Sequence, residues 1–341
     1  MFFDSDDNSK KKLRLADILD FSYLGDSRTV ALKVLFRIYP TYSFKRKMAF
    51  IINCLFQIFV GGTPRRLGMS ASSLISKSGL KKHKNYAFLF HKINQNQRAY
   101  IFEITKDGDI LSFTKVGLTD KASIGIQSEH KALSYLKRQK LPIIIPKVIN
   151  FHEEESMSVL TTAGLSSNFN LVNKTENMGD QILQRIKSLA LINGTTILKP
   201  NETYWFESTM PKISNSIILK YLKNIDVNFC FEASPAHCDI GSENVFVSNE
   251  VKDSPKNIAI VDWESFNMLA PIMTDEVSFW LGTKHRKFKS AVFSWGNQAA
   301  TKNFVKRFGV REDHLNDALL ALIFLASIGN DLAVSLCGIK K

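Results

Sequence analysis

The amino-acid sequence predicts an α+β protein in two lobes, a small five-stranded antiparallel sheet and a larger, mainly helical part. Three observations predict it. Between residues 86 and 117 the apolar residues fall in short strand-like runs broken by turn residues. A single stretch of helical spacing, 123–140, interrupts the strands. Beyond Gly164 helical spacing dominates. A chain of 341 residues with 45% hydrophobic and 23% charged residues is long enough for two cores and globular in composition.

The elements read in order as follows. Residues 13–38 show apolar residues at helical spacing, broken near Gly25. Residues 45–62 are more apolar, but Asn53 and Gln57 interrupt them and the apolar core is only about fourteen residues long, short of the roughly 20 that a spanning helix needs. They read as a buried helix, or as an interfacial one. Gly and Ser make 61–82 a linker. "YAFLFHK", "RAYIFEIT" and "ILSFTKVG" read as three antiparallel strands, the last two joined by the turn "KDGD". The helix 123–140 follows, then two strands in "IIIPKVINFHEE" and "SMSVLTTAG". Residues 178–193, 206–225 and 312–337 read as helices. This gives a basic arm over 1–84, a sheet lobe over 85–163 and a helical lobe over 164–341.

Charge is unevenly spread. No acidic residue lies between Asp26 and Glu103, whereas that interval holds fourteen Lys and Arg of a chain whose net charge is +13. Such a field attracts anions. The interval 27–102 therefore reads as a surface for an anionic membrane. Nucleic acid is not the expected partner, because no motif that reads RNA or DNA accompanies the charge. Cys54, Cys230, Cys238 and Cys337 show no metal-ligand spacing and read as reduced thiols. The charged N-terminus is unlike a signal peptide. The expected location is cytoplasmic, extending to the inner face of the membrane.

The helical part carries two short apolar runs, each bordered by polar residues. "SPAHCDIGSENVFVSNE" places His237, Asp239 and Asn244 ahead of the first, and "IAIVDWES" ends the second in Asp262. Two carboxylates and an amide beside paired strands suit phosphoryl transfer, which needs a base to orient a hydroxyl and oxygen ligands for the metal on a triphosphate.

The pattern His237-x-Asp239-x-x-x-x-Asn244, followed by "IVDWE", resembles the aminoglycoside phosphotransferase and choline kinase family, relatives of protein kinases. The resemblance covers residues 85–285 and is most specific over 235–264. It implies a bilobal protein-kinase-like fold, Mg2+, and ATP or GTP as phosphate donor. Asp239 is then the catalytic base, Asn244 and Asp262 the metal ligands and His237 a loop support. It also implies that Lys115, ending the third strand, binds phosphates with Glu129 as its helical partner. Leu160 and Thr161 fall where backbone groups meet the adenine, and Asp275 matches a supporting aspartate. Two departures stand out: Cys238 occupies the position where the family usually has glycine, and the loop at 93–98 has none.

The basic chain weighs against polycationic antibiotics as acceptors. Choline needs an aromatic or acidic cage. The expected acceptor is the hydroxyl of a neutral or anionic sugar, glycan or other small molecule. The competing reading is a kinase-like scaffold without catalysis.

Overall fold

The computed structural model describes residues 19–24, 76, 78–80, 85–93, 96–154, 157–166, 168–171, 185, 194–222, 230–241, 243–248, 257–293 and 315–340. The helix expected over 45–62 lies outside these residues, as do all of that expected over 178–193 but Arg185 and nearly all of the linker. The described residues fall into two compact units. The first lies within Met1–Lys137, Ile145–Asn170 and Ser248–Ser254, the second within Arg138–Ile144, Leu171–Val247 and Pro255–Lys341. A sheet-rich unit and a mainly helical unit make the α+β architecture.

The first unit holds a six-stranded antiparallel sheet. Its strands are β1 (Leu19–Leu24), β2 (Asn85–Ile93), β3 (Asn96–Ile104), β4 (Ile110–Gly117), β5 (Val148–Glu154) and β6 (Met157–Ala163). They lie in the order β1-β2-β3-β4-β6-β5. The five expected strands are present, and β1 is an addition. It comes from the stretch read as helical over 13–38. Leu19, Phe21 and Tyr23 alternate with Asp20 and Ser22, a period of two hidden inside the longer window. Strand β1 pairs antiparallel with β2 from Leu19↔His91 to Leu24↔Tyr86. The 93–98 loop is mostly strand, since β2 runs to Ile93 and β3 starts at Asn96.

The Asp-Gly turn forms as expected. Thr105 Oγ1 accepts the Asp107 and Asp109 backbone N–H groups at 3.2 and 2.9 Å. Gly108 takes φ +92°, a value that needs glycine. Helix α1 (Asp120–Leu136) buries Ala122, Ser123, Ile126, Glu129, Ala132, Leu133 and Leu136, a face at spacings of three and four. Gln127 and Ser123 tie it to Ser158 of β6. Tyr86, Ala99, Ile101, Val116 and Val159 form the core beneath. Ala99, Val116 and Val159 are successive cross-strand partners, so one row of small and branched side chains fills it.

After β7 (Phe169–Leu171), the second unit contains β8 (Thr196–Leu198), α2 (Tyr204–Thr209), α3 (Ser216–Leu222), β9 (Phe231–Ala236), β10 (Val245–Ser248), β11 (Ile258–Ile260) and β12 (Asn267–Pro271). Helices α4 (Thr274–Phe293), α5 (Leu315–Ser327) and α6 (Asp331–Cys337) complete it. The single helix expected over 206–225 is two helices. Pro211 interrupts it, and Asn215 Oδ1 accepts the Ile217 N–H at 3.0 Å, starting a new helix. The helical tail is likewise split, α5 and α6 meeting at a 114° bend. Residues Asp317–Ala326 are buried without a break, so α5 is a core helix rather than an amphipathic one. Trp205 packs edge-on to Phe231 and Phe324, joining α2, β9 and α5. Among the described residues no single helix is long and apolar enough to cross a membrane.

Candidate functional site

The site grows from the turn that follows β9. Strand β9 ends at Ala236, and the chain reverses through Cys238, whose φ is +69°. A non-glycine residue there costs about 1–2 kcal/mol. Asp275, in the first turn of α4, supplies the restraint. Its Oδ2 accepts the His237 backbone N–H at 3.0 Å and its Oδ1 accepts the Cys238 N–H at 2.8 Å. A glycine at this position would adopt the same φ without strain. Cys238 keeps its thiol under cover, donating weakly to the Ala236 carbonyl at 3.4 Å. Replacing it tests the strain: Cys238→Gly is expected to change stability by under about 1 kcal/mol, because relief of strain offsets lost packing. Cys238→Val is expected to cost more than about 2 kcal/mol, since a branched side chain tolerates this φ poorly. Urea melts of the two variants check the order.

His237 fastens this turn to the second one. Its ring is fully buried and packs on Trp263 at 4.5 Å. Nε2–H donates to the Val261 carbonyl at 3.0 Å, while Nδ1 accepts the Asp239 N–H at 3.3 Å. Together these bonds select the Nε2–H tautomer. The residue after Val261 is Asp262, again left-handed at φ +68°. Asn244 closes the circuit. Its Nδ2 donates to the Asp239 carbonyl at 2.8 Å, and its own carbonyl accepts the Val261 N–H at 3.0 Å. Strands β10 and β11 pair directly beyond, with Val245 opposite Ile260. The three residues singled out in the sequence are therefore neighbours in one hydrogen-bonded assembly, which Asp275 and His237 brace.

Electrostatics set the chemistry. The Asp239 carboxyl is pushed up to about 6. Loss of hydration is the largest cause, followed by the carboxylates of Asp262, Glu243, Glu264 and Asp275. Burial also raises Asp275, with His237 and the two N–H bonds pulling the other way. Burial pushes the Cys238 thiol up, which keeps it protonated and poorly nucleophilic. Among the described residues no three His, Cys, Asp or Glu side chains cluster as a complete metal cage. Mg2+ does not require one. It is commonly held by one or two carboxylates plus substrate phosphates and water. Asn244 has spent its amide N–H on the loop, which leaves its oxygen as the free ligand atom. The crowd of carboxylates around Asp239 supplies negative charge for a divalent cation to offset. Donor set and charge both fit Mg2+.

Asp239 opens into a cavity of about 390 Å³, which Glu243, Ile328, Asn330, Asp331 and Leu332 also line. Gly241 makes the tight packing behind it possible. A Cβ on Gly282 of α4 would come within 3.2 Å of the Gly241 Cα, so turn and helix touch backbone to backbone. Glu243, Glu264 and the 328–332 segment were not anticipated from sequence. The two glutamates had a signal, lying one residue before Asn244 and two after Asp262. The segment had only a Gly-Asn pair inside a helical pattern.

The remaining candidates lie in the first unit. Lys115 of β4 and Glu129 of α1 form an ion pair at 2.6 Å, both side chains almost wholly buried. Lys115 and Leu160 are cross-strand partners, and the Thr114 and Thr161 hydroxyls hydrogen bond at 2.9 Å. The adenine contact is expected at backbone near Leu160 and Thr161, which lie on β6. Strand β6 is flanked by β4 and β5, and these two residues pair on both sides. Their N–H and C=O groups serve the ladder. The Gly164 N–H still donates to the Leu111 carbonyl of β4 at 2.9 Å, so the nearest backbone outside the ladder is at 165–166. For the buried pair, Lys115→Ala is expected to cost about 3–5 kcal/mol by leaving Glu129 unneutralised. The double variant Lys115→Met, Glu129→Leu should recover most of that stability in urea melts.

No family model matches the sequence, and no curated protein matches it. Solved structures do. A point variant of an aminoglycoside 2'-phosphotransferase of type IIIa, in its GDP complex, is 12% identical over 71% of this chain and 81% of its own, with a TM-score of 0.45. A spectinomycin phosphotransferase in complex with ADP and spectinomycin is 17% identical over 78% of this chain and 89% of its own, with a TM-score of 0.41. An aminoglycoside 3'-phosphotransferase of type VIII is 14% identical over 66% and 88%, with a TM-score of 0.40.

Proposed function

We propose that this protein is a phosphotransferase that moves the γ-phosphoryl group of ATP or GTP to a hydroxyl of a neutral sugar or saccharide. The observation that carries the reading is the assembly of Asp239, Asn244 and Asp262 through His237 and Val261, with a cavity opening on Asp239. Asp239 takes the proton of the acceptor hydroxyl. The acceptor oxygen bonds to the γ-phosphorus as the bond to the β–γ bridging oxygen breaks, and the nucleoside diphosphate leaves. Asn244 Oδ1 and the Asp262 carboxylate would hold Mg2+, whose charge would offset that of the phosphates. Lys115, fixed by Glu129, is the cation for the phosphates.

The acceptor class follows from the cavity wall. Asp239, Glu243 and Asp331 accept hydrogen bonds and repel anions, which favours the neutral side of a neutral-or-anionic expectation. The sequence also carries a basic stretch without acidic residues. That stretch, 27–102, supports association with an anionic membrane surface from the cytoplasmic side. Co-sedimentation with phosphatidylserine vesicles at low salt tests it, and protein left in the supernatant refutes it.

The test of function is transfer of labelled γ-phosphate from MgATP and MgGTP over sugars, glycans, choline and aminoglycosides. Label on a neutral sugar supports the reading. Label on an antibiotic alone overturns the acceptor assignment. No transfer and no hydrolysis with either nucleotide favours the scaffold.

A further inference from the structure

Five consecutive residues at the break between α5 and α6, 328–332, line the cavity that contains Asp239. We propose that this break is the acceptor platform and that Ile328 determines which saccharide the site takes. The inference rests on the phosphotransferase reading and adds the residue that selects the substrate.

The break is built to hold a fixed shape. Helix α5 ends with Ile328 N–H on the Phe324 carbonyl and Asn330 N–H on the Leu325 carbonyl. Gly329 takes φ +89°, and no other atom lies within 4 Å of where its Cβ would be. Asn330 then caps α6, its Oδ1 accepting the Ala333 N–H at 3.1 Å. The far end of α6 is anchored too. Its Leu336 carbonyl accepts Asn215 Nδ2 at 2.7 Å, and the Cys337 carbonyl accepts the Ser214 and Asn215 N–H groups. With α5 buried in the core and α6 tied down, the bend is a preformed wall rather than a loose connection.

The chemistry of the wall complements a sugar. Ile328 is a large apolar side chain left 43% exposed beside a polar cavity. Leu332 joins it on the same wall. The carboxylates of Asp239 and Glu243 accept hydrogen bonds and donate none. A pyranose offers a face of C–H groups for the two apolar residues and a rim of hydroxyl donors for the carboxylates. The cavity, near the lower end of the usual 300–1,000 Å³ for small-molecule sites, suits one or two sugar units.

The experiment uses the full chain, MgATP, and D-glucose and maltose as probes. Ile328→Trp is expected to raise the KM for maltose more than tenfold while the KM for ATP stays within twofold. Ile328→Ala is expected to shift the ratio of kcat/KM for maltose over glucose at least fivefold towards the larger sugar. Because Ile328 is substantially exposed, both variants should fold, and a thermal melt within a few degrees of the parent verifies it. Unchanged sugar KM in both variants overturns the proposal. So does a parallel rise in the KM for ATP and sugar, which would mark a general disturbance. Hydrolysis of ATP with no turnover of either sugar refutes the saccharide platform yet leaves the nucleotide half of the reading intact. Absence of binding and hydrolysis with both MgATP and MgGTP refutes the phosphotransferase reading, and this inference falls with it.

Discussion

Asp239→Asn is expected to lower phosphotransfer by a factor of about 100 or more and, at the same time, to make the protein more stable at neutral pH. The loss follows from removing the group proposed to take the hydroxyl proton, a contribution typically of about 10²–10⁴. The gain follows from the crowding that raises this carboxyl to about 6. A group whose affinity for protons is higher folded than unfolded opposes folding once both states are ionised. That opposition is fully present above pH 6 and fades as pH falls through 6 towards the unfolded value near 4. Discounted for solvent access, the effect is roughly 1 kcal/mol, or ~1–2 °C in Tm for a chain of this size. Paired measurements decide it: transfer rates for the two proteins, and melts at pH 7.5 and pH 4. The variant should melt higher at pH 7.5 and equal to the parent at pH 4. The same titration predicts that kcat/KM for the parent rises with pH to a plateau above about 6, and that excess Mg2+ moves this limb to lower pH. A flat profile between pH 5 and 7 would remove Asp239 from the base role.

Asp275→Ala is expected to be the most destabilising single change at the site, by about 2–5 kcal/mol. It leaves the buried N–H groups of His237 and Cys238 without an acceptor, each costing roughly 1–3 kcal/mol. It also removes a restraint on Cys238, which is held in a left-handed conformation. Asp275→Asn retains one acceptor oxygen and should fall between the parent and Asp275→Ala in urea melts. Because Asp275 positions Asp239 through the turn and does not meet the acceptor, loss should appear in kcat more than in either KM. Combining Asp275→Ala with Cys238→Gly should recover part of the stability, since glycine adopts this φ without help. A combined loss equal to the sum of the parts would contradict the positioning role.

The sheet-rich unit was legible because its signals are local. Alternating apolar residues, an Asp-Gly turn and one helical stretch act over a few residues each, and β2 to β6 with α1 appear where these fall. Strand β1 was not legible. Its pairing depends on β2, more than sixty residues away, and its six-residue alternation sat inside a window of helical spacing. The split tail was obscured for a related reason. A core helix apolar all round carries no face, so Gly329 and Asn330 alone marked the bend. At the site, spacing pointed to Asp239, Asn244 and Asp262 because the pattern binds them within one turn and two short strands. Leu160 and Thr161 could not be assigned that way. Whether a strand's backbone is free depends on having a neighbour on each side, a property of the sheet and not of the segment.

His237 also has a consequence for how this protein can be altered. Because one imidazole bonds both the turn bearing Asp239 and the turn bearing Asp262, a shift of either turn strains the bond to the other. Any replacement that tilts one turn drags the other, so paired lesions should fall short of their arithmetic sum, and acceptor preference is more freely retuned at the far wall than at this clasp.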